Sequence, residues 1–453
     1  QDGTVKCIED EIPFEVPEGW AWCKLNDIYN FIDYRGATPT KITNGIPLVT
    51  AKNVKSGYID YTIDDYISEE EFKERQQRGI SKKGDILFTT EAPLGNAALA
   101  DMEKFSAGQR LITFQQYGSK DELINYVMLM FILSDFFQQQ LYVNKTGSTV
   151  AGIKAAILKT LWIPVPPYNE QLRISNTLKS AINLIDSISK NKEILSTSIS
   201  NTKSKILDLA IRGKIVPQDP NDEPASVLLE RIRAEKEELI KQGKIKRDKK
   251  ESVIFKGDDN SYYLRTGGVE ESLEDWRFDD LPETWKICCL WELCDYGDCI
   301  NVNTEDIAED AWILDLEDIE KDTGTVLKKV TKAQRNSVST KHKFHSGQVL
   351  YSKLRPYLNK VVLSDADGYC TSEILPLEFK NCVLPEYARY YLMSGTFIAY
   401  ANHCSYGVKM PRLGTTDGKK AIFSLPPLSE QKRIVETIDF CFMQLNKISE
   451  ALA

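Results

Sequence analysis

The sequence predicts a mixed α/β (α+β) protein that contains two similar large domains, each followed by a helix. Three observations support this prediction. The stretch PPYNEQLR at Pro166–Arg173 recurs as PPLSEQKR at Pro426–Arg433. Both copies lead into apolar residues at the 4-3 spacing of a heptad, which forms a narrow seam that must pack against another helix. The sequences before the two copies also match in order, about 260 residues apart, which indicates an internal duplication.

Each half opens on the pattern Trp-x4-Leu-x-Asp/Glu and then has a turn glycine before a strand of β-forming residues. A segment of apolar and aromatic residues at helical spacing follows, and then a polar loop that contains glycine. In the first half these features are Trp20–Asp27, Gly84–Phe88, Leu123–Phe137 and Asn144–Lys154; in the second half they are Trp285–Glu292, Gly347–Tyr351, Tyr387–Tyr400 and Cys404–Gly414.

The first of the two helices should run from about Asn169 to Arg212, with Gly213 as its C-cap. A second, amphipathic helix should follow Pro224 and end near Gly243. The basic run Lys244–Lys250 comes next, and such runs are usually solvated tails, although this one has the charge to touch DNA phosphate. The residues from 251 to 278 read as a polar linker.

The heptads of the two repeats have the same phase, which aligns Ile174 with Ile434 and Ile188 with Ile448. The helix of the second repeat ends earlier, at Ala453. We therefore expect the unmatched part of the first helix, Asn191–Arg212, to be covered by an upstream segment or by a partner subunit.

Composition limits the classes of function. The chain has 453 residues, ten cysteines without paired spacing and a net charge of −9. We expect a cytoplasmic protein with reduced thiols and no membrane partner, since no apolar run approaches the length of a membrane span. The negative charge argues against a nucleic-acid partner unless Lys and Arg cluster locally.

Taken together, these repeats resemble the DNA-specificity subunit of type I restriction-modification systems. The resemblance covers essentially the whole chain, and residues 211–250 are similar to the spacer of that family. It implies two target-recognition domains, separated by two long antiparallel, coiled-coil-like helices, that read the halves of a split DNA site. The corresponding boundaries are 1–168, 169–275, 276–428 and 429–453. Many relatives carry an upstream helical segment that this sequence does not show.

The resemblance also implies partners: double-stranded DNA, two methyltransferase subunits and restriction/translocase subunits. AdoMet, ATP and magnesium are expected on those partners, with no cofactor or metal in this chain. A spacer of tens of ångströms suits half-sites one turn of DNA apart, about 34 Å. Because the two domains differ in sequence, the target should be asymmetric.

Candidate DNA contacts lie in polar, basic loops at corresponding places in the two repeats. Their donors suit phosphates and purine edges, although surface loops carry Lys and Arg in any protein. The candidates are Arg35, Lys41, Lys52, Asn53, Lys55, Lys145, Thr146, Ser148, Thr149, Lys353, Arg355, Tyr357, Lys360, Ser405, Tyr406, Lys409 and Arg412.

A second candidate set concerns the start and seam of the helices. Capping accounts for Asn169, Ser429 and the glutamates that follow them. The repeated Gln and Arg have no such requirement and could pack the domain on its helix or dock a partner. The partner-interface candidates are Gln171, Arg173, Gln431, Arg433, Leu195, Ile199 and Ile206.

Catalytic alternatives have less support. An adenine methyltransferase needs Asn, Asp or Ser before Pro-Pro-Tyr, but Val165 stands there and cannot accept the hydrogen bond. A nuclease based on Glu378 and Lys380, with Asp365 or Asp367, lacks the usual Pro-Asp lead-in. A zinc site has no short cysteine pair in the set Cys294, Cys299, His342 and His345. A coiled-coil scaffold would not require the duplicated domains with basic loops.

Overall fold

The computed structural model describes residues 7, 9–34, 38–118, 123–146, 151–244, 251–259, 261–273, 281–335 and 338–452. The chain divides into two compact units, Gln1–Ser189 and Lys190–Ala453. The first unit holds the first domain and the beginning of the long helix. The second unit holds the rest of that helix, the central segment and the second domain. All ten cysteines have free thiols, and no helix among the described residues is long and apolar enough to cross a membrane.

The first domain combines small sheets with short helices. Strand β1 pairs with β9, a four-stranded sheet has the order β2-β8-β5-β6, and a three-stranded sheet has the order β4-β3-β7. The strands are β1 Ala21–Lys24, β2 Tyr29–Asp33, β3 Ile46–Val49, β4 Tyr66–Ile67, β5 Ile86–Thr89, β6 Ala97–Leu99, β7 Ser106–Ala107, β8 Leu111–Gln116 and β9 Trp162–Val165. The helices are α1 Leu25–Ile28, α2 Glu69–Arg75, α3 Asn125–Ile132, α4 Asp135–Val143 and α5 Ala155–Leu158.

The core of the first domain lies between the four-stranded sheet and the helices α3 and α4. The predicted strand after Gly84 is β5, and its residues Ile86 and Phe88 are fully buried. Phe88 stacks on Phe114 of β8, with ring centroids 5.3 Å apart. Met128 and Phe137 cover this aromatic pair from the helical side of the same cluster.

The long helix α6 runs from Tyr168 to Ala210, 43 residues or about 65 Å, which confirms the predicted bounds. Gly213 has a positive φ of 66°. The amide of Lys214 donates to the carbonyl of Leu209 at 3.0 Å, as in a Schellman C-cap. The predicted amphipathic helix is α7, Ala225–Lys241. It ends in the same way, with Gly243 at a φ of 68°.

These two helix ends allow a matched pair of substitutions. G243A should cost about 1 kcal/mol of folding free energy, because a left-handed alanine is strained but its Cβ meets nothing within 4 Å. G213A should cost about 2–4 kcal/mol, since its Cβ would also lie 2.5 Å from Cγ of Pro282. Denaturant unfolding of both variants measures the difference. Equal losses of folding free energy in the two variants would show that Pro282 moves away from the new Cβ without an energetic cost.

The second domain repeats this architecture. Strand β13 pairs with β24, and the other sheets have the orders β14-β17-β20-β15-β16, β19-β18-β21 and β22-β23. The strands are β13 Lys286–Cys289, β14 Ile300–Val302, β15 Trp312–Leu314, β16 Val330–Thr331, β17 Lys341–Phe344, β18 Val349–Ser352, β19 Val361–Leu363, β20 Gly368–Thr371, β21 Ile374–Leu377, β22 Ser405–Tyr406, β23 Arg412–Leu413 and β24 Ile422–Leu425. The helices are α8 Leu290–Leu293, α9 Pro385–Leu392, α10 Gly395–His403, α11 Thr415–Lys420 and the terminal α12 Leu428–Leu452.

The prediction of a polar linker after residue 250 is wrong over most of that segment. The segment forms a three-stranded antiparallel sheet, β10 Ser252–Lys256, β11 Tyr262–Thr266 and β12 Val269–Ser272. Its inner face places Ile254 and Leu264 in one apolar cluster with Ile287 of β13. Thr266 pairs with Val269 across Gly267 and Gly268, which both have positive φ, as a two-residue hairpin requires.

The C-terminal part of α6 packs against α12 within the second unit. Leu207 and Ile211 lie in the same cluster as Ile434 and Ile438. Further from that cluster, Nζ of Lys203 donates to Oδ1 of Asn446 at 2.6 Å. Residue numbers rise along α6 while they fall along α12, so the helices are antiparallel, as predicted.

The expectation that Asn191–Arg212 needs an upstream segment or a partner for cover is therefore wrong for its last turns. Ile199 is 7% exposed, and Ile206 packs on the cluster that Leu207 joins. Both had been partner-interface candidates, and the chain itself buries them. Leu195 is 40% exposed and Ile194 63% exposed, so the earlier turns present their apolar residues to solvent.

Each domain is fixed to the start of its helix by a glutamine. In the first, Oε1 of Gln171 accepts the amide of Ile124 at 2.7 Å, and its Nε2 donates to the carbonyl of Pro166. In the second, Gln431 accepts the amide of Leu384 at 2.8 Å. Both glutamines are 0% exposed. Placing them at a partner interface was wrong, because their amides are consumed in packing the domain on the helix.

The glutamate before each glutamine binds the tryptophan that opens the domain. Nε1 of Trp20 donates to Glu170 at 3.0 Å, and Nε1 of Trp285 donates to Glu430 at 2.9 Å. This hydrogen bond adds to the strand pairs β1–β9 and β13–β24, which also join the two ends of each repeat. Capping alone does not account for these glutamates. Of the repeated arginines, Arg173 is exposed, and Arg433 pairs with Asp222 at 2.6 Å.

Glu430 should make stability depend on pH. Burial raises the pKa of this carboxyl above its ordinary value. The folded state therefore binds the proton more tightly than the unfolded state, and stability falls as pH rises through the interval between the two pKa values. E430Q keeps an acceptor for Trp285 without the charge, so it should lose this dependence. Thermal unfolding between pH 4 and 7.5 measures it.

E170Q is the control, since Glu170 is partly exposed at the equivalent position. It makes the same chemical change at the start of the other helix. A pH profile of E430Q that is parallel to the wild type would contradict this prediction.

Candidate nucleic-acid interface

Two loops that the sequence analysis selected come together in the second domain. One is the β18–β19 loop, residues 353–360, and the other is the β22–β23 hairpin, residues 405–413. The amide of Leu413 donates to the carbonyl of Lys353 at 3.0 Å, and the amide of Arg355 donates to the carbonyl of Pro411 at 2.7 Å. These backbone bonds make one continuous surface, to which we refer as the second loop pair.

The first domain contains a corresponding arrangement, the first loop pair, between residues 90–95 and the described residues 145–146 and 151–153. The amide of Ile153 donates to the carbonyl of Thr90 at 3.0 Å, in the place of the bond between Leu413 and Lys353. Thr146 and Gly152 exchange two backbone bonds, and Tyr406 and Arg412 are the corresponding antiparallel partners in the hairpin. The sequence analysis matches the loops that contain Gly147 and Gly407, and residues 147–150 lie outside the described residues.

Residues 90–95 were missed by sequence reasoning. The strand that precedes them is matched to β18 in the sequence, and the same alignment places Pro93 opposite Pro356, each four residues after the end of its strand. That proline was the available signal. A further loop joins the first loop pair, since the amide of Gly57 donates to the carbonyl of Ala97 and Nδ2 of Asn96 donates to the carbonyl of Val54. Lys52 and Lys55 belong to this loop.

Some cationic side chains of the second loop pair are bound by other groups of the fold, and others are not. Arg412 forms a bidentate pair with Glu373, at 2.8 and 3.0 Å. Nζ of Lys360 donates to the carbonyl of Leu316 at 2.6 Å, and burial lowers the pKa of this amine. Arg355 and Lys409 have no side-chain hydrogen bond or ion pair among the described residues. These two cations are therefore available to a ligand.

Exposed aromatic and apolar side chains accompany these cations. Tyr357 is 49% exposed and Tyr406 62% exposed, while Val408 at the hairpin tip is fully exposed. Ser405 instead faces its own helix, and its Oγ donates to the carbonyl of Ala401 at 2.6 Å. The surface offers donors and flat apolar groups, the chemistry that contacts bases and phosphates.

The candidate DNA-binding residues of the first domain differ from one another in their partners and exposure. Lys41 pairs with Asp65 at 2.6 Å, Lys55 lies 3.8 Å from Asp60, and Lys145 lies over the ring of Tyr142 at 5.1 Å. Lys52 is exposed, and Thr146 is held by its pairing with Gly152. The candidates Arg35, Ser148 and Thr149, like most of the basic run after Lys244, lie outside the described residues.

Asn53 does not have the free amide that its selection assumed. It is 3% exposed, its Oδ1 accepts the amide of Thr50 at 2.9 Å, and its Nδ2 donates to the carbonyls of Asp60 and Ile63. Every polar atom of this side chain is consumed in shaping its loop. Asp318 has the same role in the second domain, accepting the amide of Asp315 at 2.9 Å.

The side chains considered for zinc have other partners. Nδ1 of His342 lies 2.8 Å from the carbonyl oxygen of Ile374, and Nε2 of His345 lies 2.7 Å from Glu378. Within the described ranges, no three His, Cys, Asp or Glu side chains come close enough to hold a metal ion.

Comparison with known proteins agrees with the duplication. The family model described as the type I restriction modification DNA specificity domain matches the chain twice, over residues 17–196 and 282–451. The chain is 26% identical to the specificity subunit of the Escherichia coli type I restriction enzyme EcoAI, over 97% of this chain and 80% of that protein. It is 24% identical to the EcoEI specificity subunit of the same organism, over 100% of this chain and 82% of that protein.

Solved structures share the fold. A chain from a structure on complex assembly and conformational transition of the type I R-M system gives a TM-score of 0.59 at 16% identity, covering 97% of this chain and 94% of that one. The HsdS subunit from Thermoanaerobacter tengcongensis gives 0.52 at 16% identity, covering 97% and 93%. The two family matches span most of the sequence and coincide with the two structural repeats. The chain therefore belongs to the type I restriction-modification DNA specificity family.

Proposed function

We propose that this chain is the non-catalytic specificity subunit of a type I restriction-modification complex and reads an asymmetric, bipartite DNA target. The observation that carries the proposal is the repeated loop pair, which has one backbone framework and two different sets of side chains. A common framework supports binding to the same kind of ligand in both domains. Different side chains support two different half-sites.

The available groups divide into two kinds of DNA contact. Lysines such as Lys409 and Lys52 suit phosphates, which give affinity without sequence information. Arg355 and the exposed tyrosines have the planar donors and faces that suit base edges. Local clustering of this kind answers the objection from the net charge of −9, because binding depends on the field at the surface that meets DNA.

Partner subunits would dock along the exposed face of α6. Leu184, Ile185 and Ile188 are 62%, 60% and 58% exposed, an unusual density of exposed apolar residues for one helix. Leu195 continues this face, and Arg173 remains a candidate at its start. We propose that two methyltransferase subunits and the restriction/translocase subunits assemble with this chain in the cytoplasm. AdoMet, ATP and magnesium would act on those partners.

Methylome sequencing tests the function directly. A host that carries this chain with its methyltransferase should acquire a methylated-adenine motif with two unequal halves and a fixed gap. A continuous palindrome, or no new methylation, would contradict the proposal.

Salt dependence tests the phosphate contacts. The affinity of the complex for its target should fall steeply with salt, and K409A should reduce the slope of log K against log [salt] by about one. Q444L, at an exposed position of α12, should leave that slope unchanged. A flat salt dependence in the wild-type complex would argue for a coiled-coil scaffold instead.

A further inference from the structure

The two loop pairs share an uncommon backbone conformation. Ala92 has a φ of 48° and Arg355 a φ of 51°. Residues other than glycine rarely adopt this left-handed backbone conformation, because their Cβ is crowded there. In both domains the residue is the third after its strand, β5 or β18, and comes directly before a proline. The two positions are therefore equivalent in sequence and in φ, although the bond from Ala92 to Pro93 is cis and that from Arg355 to Pro356 is not.

Glycine would satisfy this backbone with less strain, yet neither domain has it. Strained non-glycine residues persist where the surroundings fix them, and they concentrate at ligand-binding sites. The equivalent positions also carry very different side chains, a methyl group in one and a guanidinium in the other. The left-handed φ is shared, while the side chain at that position differs.

The guanidinium of Arg355 is not used by the fold. Its Nε is buried without a partner, and no described residue forms an ion pair with it. Glu373 lies in the turn between β20 and β21, but Arg412 already binds it in bidentate fashion. The two Nη groups of Arg355 therefore remain available in the second loop pair, where the backbone amide of this residue donates to the carbonyl of Pro411.

We infer that this left-handed position determines specificity in each domain, and that Arg355 reads a guanine in the half-site of the second domain. Arginine donates two parallel hydrogen bonds to O6 and N7 of guanine, the commonest base-specific contact in the major groove. Ala92 has only a methyl group, which suits contact with a thymine methyl and cannot read guanine. This inference rests on the proposed DNA-reading function.

R355G and R355A test it with little risk of misfolding. Glycine relieves the left-handed strain, and alanine is the residue that the first domain carries at the same φ. Each variant is expressed with the methyltransferase subunits and without the restriction subunit, so that a changed target does not expose the host to cleavage. We expect the methylome motif to lose one guanine in one half-site, while the other half stays the same.

Binding assays with the purified complex give the magnitude. Discrimination between the wild-type target and a target with that G·C pair replaced should fall by about 10- to 100-fold. A92R should change the motif only in the other half-site. K409A is the control, and it should weaken binding to every sequence equally.

The outcomes separate this inference from the function on which it rests. If the wild-type complex gives a bipartite motif and R355G leaves both the motif and the discrimination unchanged, the inference is wrong. The inference is also wrong if R355G weakens binding to all DNA sequences equally, since that is the behaviour of a phosphate contact. If the wild-type complex yields no bipartite motif, the proposed function itself fails.

Discussion

Replacement of Gln431 by leucine should lower the free energy of unfolding of the second domain by about 3–5 kcal/mol. The side chain is 0% exposed. It accepts the amide of Leu384 at 2.8 Å and donates to the carbonyls of Cys382 and Pro426 at 2.9 and 3.0 Å. Leucine has similar volume but leaves these backbone groups buried and unpaired, at about 1–3 kcal/mol for each.

Denaturant unfolding, followed by probes in each domain, measures the effect. Q431L should shift the transition of the second domain and leave that of the first unchanged, while Q171L should do the reverse. Q444L makes the same chemical change at an exposed position of α12 and should move neither transition by more than about 0.5 kcal/mol. Loss of stability in Q444L equal to that in Q431L would refute the assignment.

Replacement of Arg335 by methionine should cost about as much, roughly 3–5 kcal/mol. The arginine side chain is 11% exposed, and Nη1 lies 2.5 Å from Oδ2 of Asp315. Nη2 binds Asp318, whose side chain is 0% exposed. Methionine preserves much of the apolar contact but leaves the buried carboxylate of Asp318 without its main counter-ion, since Lys328 lies 3.7 Å away.

The first domain suggests how to recover that stability. Asn53 occupies the position equivalent to Asp318 and shapes its loop without a charge. D318N should keep the hydrogen bond from the amide of Asp315, and the double variant R335M/D318N should regain at least half of the loss. Thermal unfolding of the two single variants and the double variant gives the coupling between the residues. Purely additive losses would show that burial of the Asp318 charge is not the cause.

The duplication and the long helices could be predicted because they depend on local periodicity and on signals that recur in order. The bounds of α6 and its C-cap at Gly213 followed from helix-ending chemistry. The bonds between Trp20 and Glu170 and between Trp285 and Glu430 could not be predicted. They join side chains some 150 residues apart, and a single sequence contains no measure of that proximity.

The candidate surface was predicted by loop rather than by residue. Lys353, Arg355 and the Tyr406 hairpin do meet, but Asn53 and Lys360 are used by the fold. Charge and polarity alone cannot distinguish a donor that faces solvent from one that satisfies a carbonyl of its own chain. The sheet at 252–272 was missed because its polar composition outweighed the Gly267–Gly268 turn signal in the interpretation.

The attachment of each domain to its helix has a consequence for how new targets could arise. The connection uses one Trp–Glu bond and one buried glutamine, and both repeats use the same residue types at the same spacing. A gene exchange whose joint lies beyond Gln171 or Gln431 would transfer an entire domain together with its own anchor. An exchange at the prolines before Gln171 or Gln431 would join the incoming domain to the glutamate and glutamine of the resident helix. These residues would still fit, because both repeats use the same residue types there. Such hybrids could combine domains of different sequence without any adjustment of the helices.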